Sequence, residues 1–301
     1  MHRNIKLTLA YDGTDFHGWQ AQPGQQTVQG TVASLLHRLT GGPPTDDLPT
    51  LDGAGRTDAG VHAWGQVANF KTESRLTPGE FVRALNALLP PSIRIREAAE
   101  VPLDFHARWL ACAKTYQYRI CRGPVAPPFS WRYVLQDSRS LDFDAMKEAA
   151  RCFEGEHDFS SFAASSGSEE QDRKRTTVRS VAMSQMIRCE VPVMTSFGVN
   201  APASEEWIYV VRGKSFLRSM VRKMMGTLLE IGLGRMSPQD VTRLLELRDC
   251  TRSGPTAPAH GLCLLSVDYA NVRSGEGLRD CAGQFENGVR LAAANTPEGS
   301  G

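Results

Sequence analysis

The segment Leu51-Asp52-Gly53-Ala54-Gly55-Arg56-Thr57-Asp58-Ala59-Gly60-Val61-His62-Ala63 is the part of the chain most able to do chemistry. Gly53, Gly55 and Gly60 let a backbone pass close to a ligand, and Arg56 and Asp58 stand two apart between them. A carboxylate so placed can attack a substrate, or steady a developing cation, brought against the turn. Nucleotide-binding readings of the same glycines fail. A dinucleotide fingerprint starting at Gly53 needs a third glycine where Asp58 stands, and no Gly-Lys-Ser/Thr of a phosphate loop follows these glycines. The Gly-x-Ser-x-Gly elbow of hydrolases is missing as well. On residue types alone two other readings stay open. One is a glycine-rich turn with an incidental ion pair, such as Arg56 with Asp52. The other is a carboxylate-dependent glycoside hydrolase, which needs a second acid at a set separation and finds only Asp52 in this segment.

Composition narrows the classes. A chain of 301 residues fits about two domains, and 41% hydrophobic with 22% charged residues is ordinary for a globular protein, which excludes wholesale disorder and fibrous repeats. A net charge of +1 excludes a uniformly basic surface, so any polyanion must be held by a local patch. The seven cysteines are scattered, never spaced C-x-x-C, and the seven histidines do not cluster. Neither a disulfide framework nor a metal site is expected, and the thiols read as idle groups in a reducing compartment. No apolar run reaches the ~20 residues of a membrane span, and the first residues lack the apolar core of a signal peptide. A cytoplasmic location is the expectation.

These groups need elements to position them. Ile5, Leu7, Leu9 and Tyr11 alternate with polar neighbours, as in a half-buried strand. Val28, Val32, Leu35, Leu36 and Leu39 fall at helical spacing before Gly41-Gly42-Pro43-Pro44, and residues 64–70 read as a strand. Thr77-Pro78-Gly79-Glu80 announces a capped helix carrying Phe81, Val82, Leu85, Leu88 and Leu89. In the second half a strand runs from about Lys114 through Tyr116, Tyr118 and Ile120. A helix follows at about 142–153, strands at 178–187 and 206–212, a long helix at 215–231, a helix capped by Ser237 to Asp240, and a last strand at 262–267. This order predicts an α+β fold of two similar α/β subdomains, with helices on mostly antiparallel sheets. The expected units are residues 1–107 and 108–269. A polar loop at 165–177 and a disordered tail at 270–301 are set apart from both.

One stretch is basic. Residues 207–229 hold Arg212, Lys214, Arg218, Arg222 and Lys223 with no acid, and Lys214, Arg218 and Arg222 at i, i+4 predict one stripe on the long helix or its entry. Such a stripe is usually a solvated face; read functionally, it tracks a polyanion. Arg173, Lys174, Arg175 and Arg179 add a second basic run, diluted by Glu169, Glu170 and Asp172. Tyr116, by pattern alone, reads as a core aromatic of its strand.

Several segments, in order, resemble the tRNA pseudouridine synthase A (TruA) family. Gly55-Arg56-Thr57-Asp58-Ala59-Gly60-Val61-His62-Ala63 resembles its catalytic motif, and Tyr11-Asp12-Gly13-Thr14-x-Phe16-x-Gly18-Trp19-Gln20 its first strand and turn. Asp104-Phe105-His106-Ala107-Arg108 is similar to its domain junction and Lys114-Thr115-Tyr116-x-Tyr118 to its substrate-tyrosine strand. Phe216-Leu217-x-x-Met220-Val221-Arg222 resembles its active-site arginine helix, and Ala259-His260-Gly261-Leu262 its terminal strand. The resemblance covers about residues 4–269. It implies the pseudouridine synthase fold with an active-site cleft between the two halves, in a homodimer without metal or organic cofactor that acts on tRNA, converting uridines 38, 39 and 40 of the anticodon stem-loop to pseudouridine. It further implies that Asp58 is the essential carboxylate, that Arg222 is its cationic partner, and that Tyr116 lies against the target base. Arg56 would fill the space a flipped base leaves or hold its phosphate. His62 and Gln66 would contact the ribose or order the loop, and Lys214 and Arg218 would follow the RNA backbone. Relatives acting on other RNA uridines, and a catalytically silent RNA-binding protein, are the alternatives within the resemblance. An altered aspartate, arginine or tyrosine would favour the silent one, and all three are present.

Overall fold

The computed structural model of the chain describes residues 2–41, 50–164, 176–191 and 204–270. The remainder of the polar loop (165–175), the tail from 271, and Gly42 to Pro44 lie outside the described residues. Strand β1 (Arg3–Tyr11) forms where the alternation predicts, with Ile5, Leu7, Leu9 and Tyr11 all buried. Helix α1 (Val28–Leu39) is capped by the Thr27 side chain and ends at Thr40. The two-residue strand β2 (Asp52–Gly53) leads into the glycine-rich turn, and β3 (His62–Thr72) leaves it. Helix α2 (Pro78–Leu88) carries the full capping box between Thr77 and Glu80, and β4 (Ile93–Val101) completes the first half. Strand β4 is not foreseen by hydrophobic pattern, because after Ile93 and Ile95 its residues are polar or small. It is an outer strand, paired only to β1.

The second half contains β5 (Ala111–Cys121), β6 (Leu135–Gln136), α3 (Phe143–Arg151), β7 (Gly155–Asp158), β8 (Val178–Val191) and β9 (Ser204–Gly213). Then come α4 (Met220–Gly232), α5 (Asp240–Leu247) and β10 (Leu262–Tyr269). The long helix thus starts at Met220, five residues later than its apolar spacing predicts. Ser219 adopts φ 56° and ψ 8°, a left-handed conformation that ends regular structure on its N-terminal side. Lys214 and Arg218 therefore lie on the entry to this helix, and Arg222 lies on the helix itself.

Eight strands form one continuous path, β4-β1-β3-β10-β5-β9-β8-β7, with β2 beside β3 and β6 beside β5. Pairing is antiparallel except where β6 meets β5 and where β10 meets β3. Strand β10 is the seam. Its Leu264 pairs with Ala63 on one side and with Tyr116 on the other, and Ala63 pairs in turn with Tyr11. Strands stand about 4.8 Å apart, so this row carries the start of β3, directly after the Asp58 turn, to within two strand spacings of Tyr116. Beneath the sheet, α1 and α2 contribute Val28, Val32, Leu36, Phe81 and Leu85. Helices α3 to α5 contribute Met146, Met220, Met224, Leu228 and Val241, and all belong to one buried apolar cluster. Each such side chain stabilises the fold by roughly 1.5–3 kcal/mol. No helix among the described residues is long and apolar enough to cross a membrane.

Candidate active site

The turn that bears Asp58 is held mainly by backbone. Residues 12–19, between β1 and α1, lie against it: Trp19 N–H donates to the Thr57 carbonyl at 3.1 Å, and Gly60 N–H to the Phe16 carbonyl at 3.4 Å. The approach depends on glycine. A Cβ at Gly13 would overlap the Val61 carbonyl, and one at Gly18, where φ is +85°, would lie 2.6 Å from the Thr57 oxygen. From below, buried Gln66 donates to the Gly55 carbonyl at 2.7 Å, and the Tyr11 hydroxyl meets Thr57 Oγ1 at 2.9 Å. His62 is buried under the same turn. Gly13 N–H donates to its Nδ1 at 3.0 Å, which leaves Nε2–H to donate to the Arg132 carbonyl at 3.0 Å. That pairing fixes one neutral tautomer. Burial pulls the imidazole below its ordinary pKa, with the nearby Asp12 carboxylate opposing.

Asp58 projects from this frame toward α4. Its Oδ2 accepts from Arg222 Nη1 at 3.1 Å and from Ser219 Oγ at 2.8 Å. Arg222 is aimed by a further bond, Nε to the Ala257 carbonyl at 2.8 Å, while Ala257 N–H returns to the Arg222 carbonyl at 3.1 Å. The two side chains are 27% and 18% exposed, so the pair is sheltered yet reachable. Bonds from a guanidinium and a hydroxyl to a carboxylate are charge-assisted and stronger than neutral ones. Among the described residues Oδ1 takes no hydrogen bond and stands open.

Tyr116 borders this pair. Its ring meets Phe216 edge to face at a 5.2 Å centroid distance, and it is 7% exposed. Burial, and then the Asp58 charge, hold its phenol well above the ordinary tyrosine pKa, so it keeps its proton. Tyr116 is thus a core ring of its strand that also lies within reach of the Asp58 charge. Two residues back on the same face, Lys114 is 8% exposed and runs alongside Gly55. Burial, reinforced by Arg108, pulls its ammonium down to about 8. The strand alternation that singles out Tyr116 also marks Lys114, a site-facing residue not foreseen from the sequence. Ser219 was not foreseen either, and no sequence signal exists for it, since serine rarely takes a left-handed backbone.

The remaining expected residues divide. Arg56 is exposed at the rim, and its Nε donates to Gln20 Oε1 at 3.0 Å. Asp52 lies 3.8 Å from His106, and among the described residues Arg56 and Asp52 form no ion pair. Gln66 and His62 sit under the turn rather than in the open space above it. Lys214 and Arg218 are exposed on the segment entering α4. The other members of the basic run are engaged: Arg212 with Asp268, and Lys223 with the Cys250 carbonyl at 3.0 Å and Ser253 Oγ at 3.1 Å. Arg179 bonds the Thr176 and Val178 carbonyls, while Arg173, Lys174 and Arg175 lie outside the described residues. Among the described residues no three His, Cys, Asp or Glu side chains gather as a metal site.

Comparison with known proteins bears on this geometry. A family model described as tRNA pseudouridine synthase matches residues 8–109 and 149–270, which hold both Asp58 and Arg222. The chain is 43% identical over 267 residues to "tRNA pseudouridine synthase A" of Syntrophotalea carbinolica, covering 88% of this chain and 96% of the relative. It is also 43% identical to "tRNA pseudouridine synthase A" of Solibacter usitatus, over 89% of this chain and all of the relative. To "tRNA pseudouridine synthase A 1" of Desulfotalea psychrophila it is 41% identical over the same shares. Matched by the family model at both of its halves, and more than 40% identical to these relatives over nearly 90% of its length, this chain belongs to the tRNA pseudouridine synthase family.

Proposed function

We propose that this chain isomerises uridine to pseudouridine at positions 38, 39 and 40 in the anticodon stem-loop of tRNAs. The observation that carries the reading is the 3.1 Å contact between Asp58 and Arg222, with Tyr116 beside it. The reaction breaks the C1′–N1 bond, turns the detached uracil, and joins C1′ to C5; the proton lost from C5 is balanced by the one gained at N1. Asp58 supplies the open Oδ1 to the sugar carbon, either bonding to C1′ or steadying its cationic character as N1 departs. Arg222 keeps Oδ2 occupied with a permanently charged guanidinium that is itself aimed by the Ala257 carbonyl, a double role a lysine would fill less well. Tyr116 holds the loose base by stacking. A phenol kept protonated favours stacking and hydrogen-bond donation over removal of the C5 proton.

The target uridine must leave its stack to reach Asp58. Arg56, exposed beside the turn, fills the vacated space or holds the flipped phosphate. Lys214 and Arg218 contact RNA backbone on the way into the cleft, which makes affinity fall as salt rises. Gln66 and His62 act by ordering the turn. The working division is residues 1–107 for the carboxylate and 108–269 for the tyrosine and arginine. The protein works in the cytoplasm as a homodimer, without a metal or organic cofactor; the dimer rests on the family resemblance.

The test is pseudouridine mapping on unmodified tRNA. Asp58→Ala is expected to bind tRNA at close to the wild-type affinity and to make no product, while the wild type modifies positions 38 to 40. Lost binding with retained turnover overturns the assignment of Asp58, and product at other uridines overturns the assignment of the target.

A further inference from the structure

Ser219 stands at the N-terminal boundary of α4, where a serine ordinarily has extended backbone and its side-chain oxygen accepts from a free N–H of the first turn. It does neither. Its backbone is left-handed, at φ 56° and ψ 8°, and its side chain makes no capping bond. Among the described residues only Arg248 shares a positive φ without being glycine, and Arg248 closes a helix at its C-terminal end, where that conformation is common. Ser219 therefore bears a backbone cost and forgoes the stabilisation of a cap. In return its hydroxyl reaches across the seam to Asp58 Oδ2 at 2.8 Å, shorter than the 3.1 Å contact from Arg222 to the same oxygen.

Two donors on one oxygen do something a single donor does not. A carboxylate turns about a broad, two-fold torsion. One guanidinium bond leaves it free to swing about that contact. A second donor from a different direction fixes its plane, and with it the direction in which Oδ1 points. We propose that Ser219 is a positioning residue for the pseudouridine-forming reaction: through Asp58 Oδ2 it sets the direction of the open carboxylate oxygen. The proposal rests on the functional reading above, in which Asp58 Oδ1 meets the sugar carbon.

Three variants separate this role from a structural one. Ser219→Ala removes the hydroxyl and keeps the backbone cost. Ser219→Gly removes the hydroxyl and relieves that cost. Ser219→Asn tolerates the left-handed backbone and restores a donor. On unmodified tRNA, Ala and Gly are expected to lower kcat about tenfold, the scale of a charge-assisted hydrogen bond, with KM within about twofold. Gly should do so while melting at or above the wild-type temperature, and Asn should recover most of the rate. Gly with wild-type kcat overturns the proposal. So does a loss of rate that follows melting temperature across the three variants.

The contact is also read without turnover. A double-mutant cycle of Ser219→Ala with Asp58→Ala, followed by urea unfolding, should show coupling of about fivefold or more in the unfolding constant. Additive effects overturn the proposal. A wild type that makes no pseudouridine while the coupling persists overturns the functional reading instead.

Discussion

Around Asp58 the chain is fixed by main-chain contacts: residues 12–19 lie on the turn through backbone bonds, at approaches only glycine allows. Around Arg222 it is fixed by side chains: a guanidinium bridging Asp58 and the Ala257 carbonyl, and the Ser219 hydroxyl on Asp58. The difference teaches where each half tolerates change. The carboxylate side depends on shape, so added atoms disturb it. The cationic side depends on donors, so lost hydrogen bonds disturb it.

The largest expected effect tests the cationic side. Arg222→Lys keeps a charge but loses the fork that joins Asp58 to Ala257. We expect kcat to fall about 100-fold, with urea unfolding changed by less than about 1 kcal/mol. A larger stability loss than that of Gly13→Ala would invert the comparison. Gly13→Ala tests the other side: its methyl group meets the Val61 carbonyl, and a loss of about 3 kcal/mol in urea is expected. The control is Gly24→Ala, where φ is +71° but no atom lies within 4 Å; it should lose about 1 kcal/mol.

Two smaller effects depend on pH. His62 has a folded pKa below the unfolded 6.5, so the unfolded chain takes up the proton first as pH falls. Its contribution is complete above about 6.5 and is lost below that value, toward the lower folded pKa. Thermal melts from pH 8 to 5 should therefore decline more steeply for the wild type than for His62→Gln. Lys114 has the corresponding shift at higher pH, with a folded value of about 8 against 10.5 unfolded. Its burial opposes folding fully below about pH 8, and the penalty fades as pH rises toward 10.5. Lys114→Met should melt above the wild type at pH 7, and the gap should close over that window. If this ammonium is kept for phosphate, the variant binds tRNA several-fold more weakly, with a shallower salt dependence. Unchanged binding would make Lys114 a packing residue.

Where local chemistry dictates structure, the sequence is readable. The Thr77–Glu80 capping box starts α2 where it should, and the alternation of Ile5 to Tyr11 orients β1 correctly. The reactive turn is legible because three glycines surround a charged pair. The start of α4 is not, because Phe216, Leu217, Met220 and Val221 keep helical spacing through a segment that Ser219 breaks. Nor is the seam: a parallel contact of only two residue pairs between β10 and β3 leaves no periodic trace. Basic residues mislead for a related reason. Composition counts Arg212, Arg222 and Lys223 alike, whereas tertiary contacts give each a different partner.

The seam strand also orders events in time. A ribosome that has delivered Asp58, Tyr116 and Arg222 has yet to deliver Leu264, the residue that lies between Ala63 and Tyr116. Early domains fold as they emerge, but a pairing between such distant stretches of chain forms slowly and last. A nascent or prematurely terminated product therefore carries Asp58, Tyr116 and Arg222 but lacks the strand that links Ala63 to Tyr116.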